Sequence, residues 1–174
     1  MIKDFLDEYE RYKILGEKAF AQVSDEALNR VLSGDNNSIA VIARHISGNL
    51  RSRFTDFLTS DGEKTWRNRD EEFAEITYTR AQVNEMWDEG WAVLFSELAP
   101  LTDDDLQRQV TIRGNPWTVH EALARSLAHI ASHVGQIVLL ARILVEGDWH
   151  WLSIPKGKSK EYNLNPSLEK RPHS

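Results

Sequence analysis

The segment from Val119 to Val145 restricts the fold more than any other part of the chain. Leu123, Leu127, Ile130, Val134, Val138, Ala141 and Val145 recur along it with the spacing of one helix face. A helix this long and apolar needs partners to cover its stripe, and three further periodic stretches supply them. Ile2, Phe5, Leu6, Tyr9, Gly16 and Phe20 predict an amphipathic helix over roughly the first 22 residues. After the turn- and cap-forming cluster Ser33 to Ser38, the residues Ile39, Ile42, Ala43, Ile46, Leu50, Phe54, Phe57 and Leu58 predict a second helix that ends near Ser60 to Gly62. Val83, Met86, Trp87, Gly90, Leu94 and Leu98 predict a third, stopped by Pro100 and the acids that follow Thr102.

Between the helices, Ser24 to Asn29 reads as a connection or a short helical turn. Glu63 to Thr77 is polar, without sustained period, and long for a loop. Gln109 to Val119 alternates β-branched and polar residues around the pair Gly114-Asn115, the pattern of a small hairpin. The expected architecture is all-α, a four-helix bundle over residues 1–146 with a β-hairpin before the last helix. An extended tail, residues 147–174, follows.

The 174 residues contain no cysteine, which excludes disulfides, thiolate metal sites and a cysteine nucleophile. Any metal must bind through His, Asp or Glu. A net charge of −6 argues against nucleic acid as a partner. The start, Met1 to Lys13, carries acids among its apolar residues and does not read as a signal peptide. No stretch approaches the roughly 20 consecutive apolar residues of a membrane span, so a soluble cytoplasmic protein with no membrane role is expected. The lysines of Ile154 to Lys160 read as a solvated piece of tail.

His129 and His133 stand four apart on the long helix, close enough to share one metal ion or, more simply, to sit as hydrogen-bonded histidines at the core edge. Ile130 occupies the place of the glutamate in H-E-x-x-H, which disfavours a zincin. His45 lies in the middle of the second helix, beside Ile42 and Ile46, where an unpaired imidazole would be costly. Three such histidines on facing bundle helices can form a His₃ site with an open position. His120 reads as a first-turn residue and Glu121 as a charge on the helix dipole, while His150 and His173 lie in the tail.

A central His on the second helix, a small hairpin and "HIASHVGQI" on the last helix together resemble the DinB/YfiT-like superfamily of four-helix bundles, over roughly residues 1–146. The Asp61 to Phe73 loop and the Asp148 to Asn163 tail look like a subgroup of uncharacterised function. The resemblance implies one divalent metal held by His45, His129 and His133, with zinc or nickel foremost and iron or copper also accepted by imidazoles. It also implies a metal-dependent enzyme of the thiol-transferase kind, in which a small-molecule thiol, or water, is activated and attacks an electrophile. A homodimer is a further expectation. The rival is a non-catalytic metal-binding or stress-associated dimeric module, which a fourth protein ligand such as His150 or a loop acid would favour.

Candidate substrate-binding residues follow from the helix wheel. Asn49 and Arg53 continue from His45 at i+4 and i+8, and the plainer alternative pairs Arg53 with Glu85 or Glu89. Gln136 orients a ligand or caps the bundle, and Gly135 is expected to permit close helix packing. The aromatic and basic residues Trp66, Arg67, Arg69, Trp149, Trp151 and Tyr162 form a lid, a subunit contact or, as the simplest reading, plugs for the bundle ends. Trp87 and Trp91 belong to the core.

Overall fold

The computed structural model describes residues 1–166, so the tail residue His173 lies outside the described residues. Helix α1 (Ile2–Phe20) starts without a side-chain cap of its own; instead Asp103, from the acidic run Asp103 to Asp105, accepts from the Ile2 N–H at 2.7 Å. That places a carboxylate on the positive end of the helix dipole. A one-turn helix α2 (Asp25–Asn29), capped by Ser24, follows.

Helix α3 (Ile39–Phe54) is capped by Ser38 and stops several residues short of the expected end. Asp56 takes a positive φ of 51°, and the chain turns to meet the hairpin, where the Gly62 N–H donates to the Thr111 carbonyl at 2.8 Å. The apolar period runs on through Phe57, which is still buried, but this docking overrides it. Residues 55–79 form an irregular crossing with one 3₁₀ turn, Asp70–Phe73. Helix α4 (Arg80–Leu98) opens with a Thr79/Gln82 capping box. A second 3₁₀ turn, Asp103–Gln107, leads into strands β1 (Gln109–Ile112) and β2 (Asn115–Thr118), antiparallel with Val110 opposite Trp117.

The hairpin turn is centred on Arg113 and Gly114, at φ 53° and 73°, one residue earlier than the expected Gly-Asn pair. Such a turn needs positive φ at both central positions. Gly114 meets this freely, and Arg113 is held there because Asp61 accepts both its N–H and that of Gly114 at 2.8 Å. Helix α5 (Val119–Leu144) begins at once with a Thr118/Glu121 capping box, worth about 1 kcal/mol, so Glu121 serves the helix start as expected.

The four long helices close a ring in which α3 packs along α4 and α5, and α1 along α5 and α4. Its centre is filled by Trp87, Trp91, Tyr9, Phe54 and Ile46, and the Tyr9 hydroxyl donates to the Leu123 carbonyl at 2.9 Å. The expected four-helix bundle with a hairpin before its last long helix is the observed fold. One expectation is corrected: α5 is long and apolar enough to cross a membrane by length and composition, although charged and polar residues such as Glu121, Arg125, His129 and Arg142 interrupt its apolar residues. Here its inner face, with Leu123, Ile130, Val134 and Ile137, is a wall of the core.

After α5 the chain lays Trp149 and Leu152 against the core and forms a one-turn helix α6 (Ser159–Tyr162). Trp151 and Trp66 do not plug the bundle. They remain 41% and 54% exposed, with Arg142 and Arg51 over their rings. Gly135 does not serve close packing either, since a Cβ there would meet nothing within 4 Å.

Candidate metal centre

His45, His129 and His133 meet where α3 faces α5. The His129 Nε2 lies 3.3 Å from the His45 Nε2 and 3.2 Å from the His133 Nε2. The three potential ligand atoms fall within 4.8 Å of one another. An ion with bonds of ~2.05 Å to imidazole in tetrahedral geometry would set neighbouring nitrogens about 3.3 Å apart. The two close edges of the cluster have that length.

The outer ring nitrogens decide which atoms can ligate. His45 Nδ1 lies 2.8 Å from the Glu72 Oε2. An ionised carboxylate only accepts, so Nδ1 carries the proton and Nε2 presents its lone pair to the cluster. His133 Nδ1 donates in the same way to the Gln136 Oε1 at 2.9 Å. Two lone pairs therefore face His129, whose single ring proton could satisfy one of them at most. A cation among the three nitrogens resolves the conflict, and the donor set fits it.

Glu72 is itself braced. The Arg67 Nε and Nη2 donate to its two oxygens at 2.7 and 2.9 Å, and the side chains of both residues are almost entirely buried. Burial pushes the Glu72 carboxyl upward, but the bonds from His45 and Arg67 outweigh it and hold the group below its ordinary range. Phe73 lies against the His45 ring with centroids 4.9 Å apart. Room for this arrangement comes from Gly48, one turn beyond His45, where a Cβ would lie 2.8 Å from the Glu72 Cδ. A carboxylate that orients a ligating imidazole is the usual outer partner of such centres. Glu72 bonds to the far nitrogen of His45 and is not a fourth ligand, and His150 is exposed with its backbone paired to Gln22.

The α5 imidazoles are kept neutral. Burial, followed by the neighbouring His133 and His45 and by Arg67 and Arg53, pushes His129 down to about 4. Burial also lowers His133, partly offset by its bond to Gln136. Neutral imidazole is the form that ligates metals.

His45 and His129 line a cavity of about 530 Å³, together with Asn49, Arg53 and Ser126. The wheel thus brought Asn49 and Arg53 to the same side as His45. Arg53 pairs with Glu63 at 3.2 Å, while Glu89 is met by Arg51 at 3.7 Å. That corrects the expected Arg53 partners: the chain beyond α3 folds back and delivers a nearer acid. Gln136 points at His133 and does not line this cavity. His120 sits on the surface, edge-on to Phe5.

Glu72 is not singled out by the sequence reading, and Arg67 enters it only as a lid, contact or plug residue, not as a brace. They stand in a stretch without periodicity, and the pointer to them is a glycine one turn from His45, where α3 has no other need of one. The model of a family described as "Protein of unknown function (DUF1572)" matches residues 1–158, which include the whole centre and its braces. Neither the curated proteins nor the solved structures contain a significant match.

Proposed function

The chain belongs to the DUF1572 family, and from that premise we propose that it is a metal-dependent enzyme acting on small molecules, of the kind that transfers a thiol to an electrophile. The observation that carries this reading is the convergence of three imidazole Nε2 atoms at the side of a cavity, two of them fixed as lone-pair donors from behind. A divalent ion bound there, zinc or nickel foremost, would supply a Lewis acid that lowers the pKa of a thiol or water presented to it.

The remaining work falls to the chain's own side chains. Glu72 and Gln136 hold the Nδ1 protons of His45 and His133, so that both rings offer Nε2. Three protein donors are the number found in catalytic sites, and no fourth closes the cluster among the described residues. No carboxylate lines the cavity among the described residues, and Glu72 is engaged behind His45, so no acidic general base faces the open side of the cluster. This favours a thiol over water: a thiol starts from a pKa of ~8.5, against ~15.7 for water, and ionises with far less help. The sulfur must arrive with the substrate, because the chain has no cysteine. Asn49 and Arg53 are the side chains of α3 nearest in register to anchor that substrate. A homodimer belongs to the same proposal; exposed Leu139 and Ile143 give α5 an apolar outer surface for it, and sedimentation checks it.

The test is consumption of free thiol with a panel of alkyl halides and epoxides, using metal-loaded protein, chelated protein and His129→Ala. Thiol loss above the buffer rate with loaded wild type alone supports the proposal. No loss with protein shown to carry its metal ends the transferase reading.

A further inference from the structure

The cavity beside the histidines has a charge that the composition of the chain does not foretell. Acids outnumber bases 27 to 21, yet five arginines, Arg53, Arg67, Arg69, Arg113 and Arg125, line this one cavity and no acid does. They come from α3, from the irregular crossing, from the hairpin turn and from α5, so four separate parts of the fold deliver guanidinium groups to one place. Arg53 and Arg67 sit deep, with side chains 14% and 3% exposed, and the other three are exposed.

Gathering like charges is unfavourable unless something compensates them. Glu63 serves both Arg53 and Arg113, at 3.2 and 3.0 Å, and Glu72 serves Arg67. Arg69 and Arg125 have no carboxylate partner among the described residues. They rest over the rings of Phe73 and Trp117, at 5.1 and 5.3 Å, which steadies each group without neutralising it. Among the described residues two carboxylates thus pair with three of the five guanidiniums. The excess positive charge stands around a cavity of about 530 Å³, a volume suited to a small molecule rather than a nucleic-acid strand.

We infer that the substrate taken into this cavity is a small polyanion carrying at least two carboxylate or phosphate groups. Its anionic part is held by the arginines while its reacting part meets the histidine centre. The inference rests on the catalytic reading for the second half of that statement only. Guanidinium forks fit carboxylate and phosphate alike, so the shared chemistry is the oxyanion.

The experiment is calorimetric titration of the metal-loaded full chain with pyrophosphate in one arm and citrate in the other, at low and at raised salt. Wild type, Arg69→Gln, Arg125→Gln and His129→Ala are compared, with metal content measured for each. Saturable, salt-weakened binding of either probe is expected, about tenfold or more weaker in each arginine variant at unchanged metal content. Which arm binds tells phosphate from carboxylate. His129→Ala is expected to lose metal yet still bind the probe in a salt-dependent manner, which separates this inference from the metal reading. If neither probe binds saturably, or the arginine variants bind like wild type, the inference is overturned. It is equally overturned if binding vanishes with His129→Ala alone, for the anion then sits on the metal and not on the arginines.

Discussion

On α3, His45 is gripped from behind: its Nδ1 donates to Glu72, Arg67 forks onto the same carboxylate, and Phe73 lies against the ring. On α5 the support is slight. Among the described residues His133 has only the exposed amide of Gln136, and the His129 Nδ1 is buried with no partner. The difference follows from how each ligand reaches the centre. Two histidines four apart on one helix are set by its pitch, and α5 is already fixed by its core face. His45 must meet them from across the bundle, where helix pitch fixes nothing, so a carboxylate brought in by the crossing loop does that work.

The largest effect should come from the ligands themselves. His45→Ala and His133→Ala are each expected to weaken zinc binding by more than ~100-fold, measured by competition with a chromophoric chelator. A variant of either arm that binds like wild type would remove that histidine from the set. Next in size, Glu72→Gln should cost ~10–100-fold in affinity, because the charge behind His45 is lost with every ligand still in place. Gly48→Ala should move affinity in the same direction, since its methyl group must displace the Glu72 carboxyl. An unchanged affinity in both would mean that the α3 side needs no brace.

Gln136→Ala is expected to cost less than ~10-fold, because Gln136 is exposed and water can take over its acceptor role. An effect as large as that of Glu72→Gln would erase the contrast between the two sides. A separate effect, on stability and not on affinity, is the pH dependence of the metal-free chain. Folded His129 titrates at about 4, whereas an unfolded histidine titrates near 6.5. Between those values the unfolded state binds more protons, so stability falls as the pH drops through this window and this group leaves it unchanged above. Urea midpoints of chelated protein at pH 7 and pH 5 should show the fall, and His129→Gln should lessen it. An equal fall in both would assign the acid sensitivity to other groups.

The long helices and the histidines were readable in the sequence because both signals are local. Apolar period gave the helices, and i,i+4 spacing gave the His129/His133 pair. His45 was readable for the same reason, as a costly polar group in an apolar helix. The brace was not, since Arg67 and Glu72 lie in a segment without period and acquire their roles only when the crossing packs on Gly48. The end of α3 is not legible in the apolar period, because Phe57 and Leu58 continue that period while the docking of Gly62 on β1 bends the backbone away. The arginine cavity is likewise invisible along the chain, for its members are spread from residue 53 to residue 125 and converge only in the closed bundle.

The most direct measurement is elemental analysis of tag-free wild-type protein and His129→Ala after equilibration with zinc or nickel and removal of free ion. The three-histidine account requires about one divalent ion per chain in the wild type and a nearly complete loss in the variant. A wild type that takes up no stoichiometric metal, or a variant that retains it equally, would contradict the account.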